Sequence, residues 1–301
     1  MLAIEIKDKW IAYVFAFVLG LTFVSANTKL NAHNITPELE TKKVTINDIE
    51  INYRIGGNGP VLLLLHGYTL SGEAWKPFVK NLINNYKLII PDLPGHGSSS
   101  SLRGNYTITK FADIITAFMN ELGIKQFNAV GHSAGAMTLI FMAQENSERI
   151  NSMVLIGCGS KFSKNGLKFA ESDTFENLSG DLLQFYKGIH KRGDEQLKEL
   201  YDSMMPVLYS YQNFDIFSDE FKNMKTRSLL ITGDSDNYFN VNSVVDLYNF
   251  FPYSQLWIIP GGGHAPVWKD WGGSPEASEI FTLALMRFIN SPKEQNNFGL
   301  N

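Results

Sequence analysis

Ser133 stands at the centre of Gly131-His132-Ser133-Ala134-Gly135, a Gly-x-Ser-x-Gly pattern. The pattern follows the apolar run Phe127 to Val130, which reads as a short buried strand, and opens a helix-like stretch from Ala134 to Gln144. A sharp strand-to-helix turn exposes the hydroxyl at its apex, and the flanking glycines let neighbouring chain pass close by. The same turn aims N–H groups of a helix N-terminus at the space where negative charge develops when a carbonyl is attacked. The chemistry on offer is nucleophilic attack on an acyl carbon. With 25 glycines in 301 residues, a chance occurrence of the pattern has a likelihood on the order of 10–20%, so its partners must come from elsewhere in the chain.

A serine hydroxyl is a weak nucleophile until a base takes its proton, and that base needs an acid to orient it and to stabilise its cation. Of the six histidines, His33 lies in a polar N-terminal stretch, His132 adjoins the serine and is expected to point away from it, and His190 falls in a helical insertion. His66, after the apolar run Val61 to Leu65, suits bracing a turn, and His96 lies in a glycine-rich loop. His264 remains, within Pro260-Gly261-Gly262-Gly263-His264, at the end of the last strand-like run, where parallel sheets place ligand sites. For the acid, Leu229 to Thr232 runs into Gly233-Asp234-Ser235-Asp236, and both aspartates sit at a strand's carboxyl end. The N–H groups of Ala134 and of Tyr68, in the loop after a neighbouring central strand, would form the oxyanion hole, and the Tyr68 hydroxyl suits either the pocket or surface packing.

The elements that must hold these residues alternate along the chain. Val44, Ile46, Ile49, Ile51, Tyr53 and Ile55 alternate with polar neighbours around Asn47-Asp48 and predict an opening β-hairpin. Apolar runs at Val61–Leu65, Leu88–Ile90, Phe127–Val130, Met153–Ile156, Ser228–Thr232 and Leu256–Ile259 read as buried parallel strands. Helical stretches at 75–82, 109–122, 134–144 and 241–250, and a last one ending near Asn290, fall between or after them. The fold class is therefore α/β, a mostly parallel, doubly wound sheet opened by an antiparallel hairpin. Residues 161–227 carry no buried-strand run but many aromatics, with helices expected around 181–190 and 194–204, and read as a helical cap whose aromatics chiefly pack its own core. The core is divided into 41–160 and 228–291, with a flexible tail at 292–301.

Composition narrows the partners. A net charge of −4 and no Lys/Arg-rich block exclude a nucleic-acid surface, and the single cysteine, Cys158, excludes an intramolecular disulfide or a Cys-rich metal site. No His, Asp and Glu cluster has metal-ligand spacing, so neither metal nor cofactor is expected. Lys7 and Lys9 precede a stretch from Trp10 to Thr28 without a charge, and Val24-Ser25-Ala26 offers a cleavage site. Residues 1–26 therefore read as a secretory signal peptide or, uncleaved, as a membrane anchor, with 27–40 a polar linker. Either reading puts the catalytic domain outside the cytoplasm, secreted or periplasmic, with the membrane reached only through that segment.

Five motifs in this order, the strand then His66-Gly67-Tyr68, the loop Pro91-Asp92-Leu93-Pro94-Gly95-His96-Gly97-Ser98, the serine elbow, Gly233-x-x-Asp236 and Gly263-His264, resemble the α/β-hydrolase fold family, its cap-bearing serine branch, over about Val44 to Asn290. The resemblance implies the order Ser133, Asp236, His264 for the triad, which favours Asp236 over Asp234. It implies a cap at 161–227 and structural roles for His66 and the His96 loop. The segment Val267 to Ser274 departs from the family in being longer than its usual link to the last helix. Family members that dehalogenate alkanes or open epoxides resemble this scaffold but carry an aspartate at the elbow. The activity implied is hydrolysis of a carboxylic ester or related acyl bond of a small molecule through an acyl-enzyme. An aminopeptidase or C–C bond hydrolase on the same scaffold, or a noncatalytic ligand-binding protein, are the alternatives.

Overall fold

The computed structural model describes residues 38–102 and 104–292; the segment read as signal peptide or anchor, and the tail beyond residue 292, lie outside the described residues. Strands β1 (Glu40–Ile46) and β2 (Ile49–Gly56) pair antiparallel about Asn47 and Asp48, at φ 47° and 66°. Two consecutive residues of positive φ give the turn whose twist matches paired strands, and Asn and Asp tolerate it. Pairing starts at Glu40, so the sheet takes in the last residue of the stretch read as linker.

The chain continues through β3 (Val61–Leu65), α1 (Lys76–Leu82), β4 (Lys87–Pro91), α2 (Ile108–Glu121), β5 (Phe127–His132), α3 (Ala134–Glu145) and β6 (Ile150–Ile156). Four helices follow before the sheet resumes: α4 (Lys164–Ser172), α5 (Gly180–Ile189), α6 (Asp194–Gln212) and α7 (Asp219–Lys222). The last elements are β7 (Arg227–Gly233), α8 (Val241–Phe250), β8 (Ser254–Ile259) and α9 (Pro275–Asn290). The sheet order is β1-β2-β4-β3-β5-β6-β7-β8, antiparallel at β1/β2 and β2/β4 and parallel throughout the rest. This is the mostly parallel α/β architecture that the alternation of runs predicts.

Period-two alternation divides the core into two layers. Leu63, Leu65, Ala129, Met153, Leu155 and Leu230 face the layer that includes residues of α2, α3 and α8. Leu62, Leu64, Val130, Val154, Ile156 and Ile231 face the layer closed by α1 and α9. The central strands are buried on both faces, which is why they read as unbroken apolar runs. Each fully buried Leu or Ile contributes about 1.5–3 kcal/mol relative to exposure.

One buried carboxylate fixes the loops at the carboxyl edge of this sheet. Asp92 Oδ1 accepts from Arg54 Nη1 at 3.0 Å and from the Gly72 N–H at 2.8 Å, and Oδ2 accepts from Asn52 Nδ2 and the Ser98 N–H, both at 2.9 Å. Burial opposes ionisation of Asp92, but the Arg54 charge, the nearby His66 and the two backbone donors outweigh it and hold the carboxyl below its ordinary value. A carboxylate with a lowered folded pKa contributes stability above its unfolded pKa of about 4 and loses it as pH falls through the folded value. Asp92→Asn therefore destabilises the protein at pH 7, by about 1–3 kcal/mol in urea unfolding, because the four donors around it lose a charged acceptor and Arg54 keeps only Glu73, at 2.7 Å. The deficit relative to wild type narrows as pH falls below about 4; a deficit that does not change with pH contradicts this account.

Candidate active site

Strand β5 is buried along its whole length and ends at His132, and α3 begins at Ala134, so the chain must reverse within Ser133. It does so at φ 50° and ψ −116°, a conformation that a residue with a β-carbon rarely adopts. The neighbouring glycines make the turn possible. A β-carbon on Gly131 would lie 2.5 Å from Ala136 N, and one on Gly135 would lie 2.5 Å from the Leu65 carbonyl oxygen at the end of β3. The Ser133 N–H donates to the Ile156 carbonyl at 2.8 Å and its carbonyl accepts from the Met137 N–H at 2.9 Å, so the backbone is tied while the hydroxyl points outward.

That hydroxyl meets His264. Ser133 Oγ lies 2.9 Å from His264 Nε2, and His264 Nδ1 lies 2.9 Å from Asp236 Oδ2. An ionised carboxylate can only accept, so Nδ1 carries the imidazole proton and Nε2 accepts from the serine. The other oxygen, Asp236 Oδ1, accepts from the N–H groups of Tyr238 and Phe239 at 2.7 and 3.1 Å. Burial pushes the Asp236 pKa up, but adjacent His264 and the two N–H donors more than offset it, and the group stays below its ordinary value. Asp234 faces elsewhere: its Oδ1 accepts from the Gly261 N–H at 2.7 Å and from the Ser235 hydroxyl, pinning the loop that leads to His264. The structure thus brings Ser133, Asp236 and His264 into one row and leaves Asp234 beside it.

The remaining described histidines brace the site. His132, expected to point away from the nucleophile, instead lies with its ring 5.2 Å from that of His264 and donates Nε2–H to the His264 carbonyl at 3.1 Å. Burial, then its proximity to His264, lowers its pKa to about 3, so it is a neutral support. His66 Nε2 accepts from the Leu93 N–H at 2.9 Å, joining the end of β3 to the Asp92 loop.

His190 has a role that its sequence position concealed. Its Nδ1 accepts from the Gly97 N–H at 3.0 Å and its Nε2 donates to the Thr69 carbonyl at 2.8 Å, so the α5–α6 junction is tied to both loops flanking the site. Tyr68 and Ala134, the expected oxyanion-hole donors, stand on either side of this arrangement: Ala134 is the first residue of α3, where N–H groups lack an intrahelical acceptor, and Tyr68 follows β3. The Tyr68 hydroxyl neither enters the pocket as a free group nor packs on the surface. It donates to the Leu200 carbonyl of α6 at 3.0 Å, and the next residue, Thr69, sits at φ 61°. Three contacts from the helical insertion therefore hold the Tyr68–Thr69 loop, counting the 3.4 Å hydrogen bond between Thr69 Oγ1 and the Tyr186 hydroxyl. No local motif signals them, because the partners are 117 to 132 residues apart.

Ser133 and His264 open into a cavity of ≈ 380 Å³ between sheet and cap. Phe162, Leu182, Phe185, Met204, Leu208 and Trp271 supply most of its apolar wall, and Asp173, Tyr186 and Tyr238 add polar groups. The cap's aromatics thus divide, Phe185 and Tyr186 toward the cavity and Phe221 and Tyr211 into the core. In the long segment after His264, Trp268 is buried and donates Nε1–H to the Ala74 carbonyl at 2.8 Å, which anchors the segment to the core, while Trp271 lines the cavity. Buried Cys158 has its thiol pushed up to about 12 by burial and is inert. Among the described residues, no group of three or more His, Cys, Asp or Glu could hold a metal ion, and no helix is long and apolar enough to cross a membrane.

A family profile described as "alpha/beta hydrolase fold" matches residues 60–189. The chain is 30% identical over 275 residues to the non-heme chloroperoxidase CPO-A1 of Kitasatospora aureofaciens, covering 82% of this chain and 98% of that protein. It is 34% identical over 122 residues to a fluoroacetate dehalogenase of a Burkholderia species, a match that takes in 39% of this chain and only 40% of the relative's length. Among solved structures, a bacterial membrane phospholipase A superposes with a TM-score of 0.69 at 20% identity, covering 84% of this chain and 87% of that one. With the sheet order, the glycine-flanked elbow and these likenesses together, the chain belongs to the alpha/beta hydrolase fold family.

Proposed function

We propose that this protein is a serine hydrolase that cleaves a carboxylic ester or related acyl bond through an acyl-enzyme. The observation that carries the reading is the continuous row from Ser133 Oγ through His264 to Asp236, with both hydrogen bonds at 2.9 Å. His264 Nε2 takes the hydroxyl proton as Ser133 Oγ bonds to the substrate carbonyl carbon. The oxygen that gains charge is received by the N–H groups of Ala134 and Tyr68. His264 returns the proton to the leaving group as the acyl–oxygen bond breaks, then deprotonates the water that releases the acid. Asp236 stabilises the imidazolium in both half-reactions and fixes the tautomer. No step calls for a cofactor.

Serine at the elbow also favours acyl transfer over displacement of a halide. A hydroxyl that displaced fluoride from a saturated carbon would form an ether, which an imidazole-activated water does not open, whereas a carboxylate nucleophile would form a hydrolysable ester. The dehalogenation named for one relative is therefore not carried over to this chain. A cavity of ≈ 380 Å³ lies near the small end of ligand sites and supports a short acyl substrate. The uncharged run from Trp10 to Thr28 supports placing the enzyme outside the cytoplasm.

On a panel of short and medium p-nitrophenyl esters the wild-type protein turns over at least one, and Ser133→Ala lowers kcat by on the order of 10⁴–10⁶-fold. Failure to cleave any of them, or full activity in Ser133→Ala, contradicts the reading. Asp236→Asn lowers kcat by on the order of 10³–10⁴-fold, because Nδ1 loses an acceptor-only partner and the wrong tautomer is populated. Asp234→Asn leaves kcat close to wild type, since the amide oxygen still accepts from Gly261. The reverse ranking of the two variants in steady-state assays would reassign the acid.

A further inference from the structure

Asp173, at the carboxyl end of α4, contributes to the cavity wall that also contains Ser133 and His264. It is a half-buried carboxylate in a largely apolar cavity, and its carboxyl forms no hydrogen bond or ion pair with the described residues. Burial alone raises its pKa above the ordinary carboxylate value, with no cation close enough to pull it back down. A charge in such a place costs free energy unless something pairs with it.

Its surroundings suit a particular pairing. Tyr186 and Tyr238 line the same cavity as Asp173, and burial, then the Asp173 charge, raises the pKa of Tyr238. The Tyr186 and Tyr201 rings lie 6.4 Å apart, and the Tyr238 ring packs 4.5 Å from His264, so the cluster adjoins the reacting groups. A carboxylate on the wall of a largely apolar cavity, with Tyr186 and Tyr238 on the same wall, matches a compact cation that can pair with the carboxylate. A neutral acyl chain would leave that carboxylate without a partner, and an anionic one would be repelled. Discrimination that lasts through both half-reactions must act on the acyl part, which stays attached to Ser133.

We propose that Asp173 and the tyrosines around it form an ammonium-binding subsite, so that the preferred substrates are acyl compounds carrying an amine close to the scissile carbonyl. The inference rests on the serine-hydrolase reading. Alanine ethyl ester and ethyl isobutyrate differ by an ammonium in place of a methyl group and test it directly. Wild type is expected to favour the amino ester by about tenfold or more in kcat/KM, the scale of one partly desolvated ion pair. The preference falls by about tenfold in Asp173→Asn, to what the inductive pull of the ammonium alone gives, and is retained in Asp173→Glu. A wild-type ratio at or below one, or a ratio unchanged by Asp173→Asn, overturns the proposal.

A measurement on wild type alone guards against a variant that fails to fold. Isobutylammonium should slow labelling of Ser133 by a neutral alkyl phosphonate at a concentration where isobutanol does not, and equal protection by the two overturns the subsite. Efficient phosphonate labelling without discrimination defeats this inference and leaves the hydrolase reading standing. No labelling at Ser133 and no turnover of either ester defeat both.

Discussion

The whole site depends on a backbone conformation that the chain would not choose for itself. Ser133 holds φ 50° because β5 and α3 are pinned on either side of it, and they are pinned so closely that Gly131 and Gly135 have no room for a β-carbon. The cost of an unfavourable φ/ψ, about 1–3 kcal/mol, is offset by the packing of α3, ten of whose twelve residues are buried, against the sheet. From that one constraint follow the exposure of the hydroxyl, the direction of α3's first N–H groups and the contact between the helix N-terminus and the end of β3. Strain is stored where the chemistry is proposed to happen, and the core supplies the rigidity that keeps it there.

The parallel sheet converts distance along the chain into proximity. Ser133, Asp236 and His264 follow β5, β7 and β8, and parallel pairing brings those carboxyl ends to a common edge. Loop anchors do the fine positioning. Tyr238 and Phe239 donate to Asp236, His132 donates to the His264 carbonyl, and Asp234 fixes the Gly261 turn. On the opposite side, Asp92 organises its loop through four hydrogen bonds, and His66 passes that order to the end of β3. The cap completes the arrangement through His190 and Leu200, and so serves both as a roof over the cavity and as a brace for the Tyr68–Thr69 loop.

Much of the scaffold was legible in the sequence because the signals were local. Unbroken apolar runs marked strands buried on both faces, and Asn47-Asp48 marked the hairpin. Where tertiary burial competed with local preference, the reading fell short. Helix α6 was expected to end near Met204, before Pro206, yet it runs to Gln212 because Val207, Leu208 and Tyr211 are buried and their packing outweighs the missing N–H of Pro206. Helix α4 is not announced by the sequence, because it is only nine residues long and carries a glycine, Gly166, in its first turn. The roles of His190 and the Tyr68 hydroxyl come from contacts across the fold, which periodicity does not encode. Choosing between Asp234 and Asp236 likewise needed the family pattern, since two residues in one loop differ only in what each one faces.

The central claim is that Ser133 becomes covalently acylated during turnover. Rapid quenching of the enzyme in acid while it hydrolyses an ester, followed by mass spectrometry of its peptides, tests this most directly. The account predicts a mass increase equal to the acyl group, located on the peptide containing Ser133 and absent from the same peptide of Ser133→Ala. Steady turnover with no acyl adduct on that peptide, or with the adduct on another residue, would contradict it.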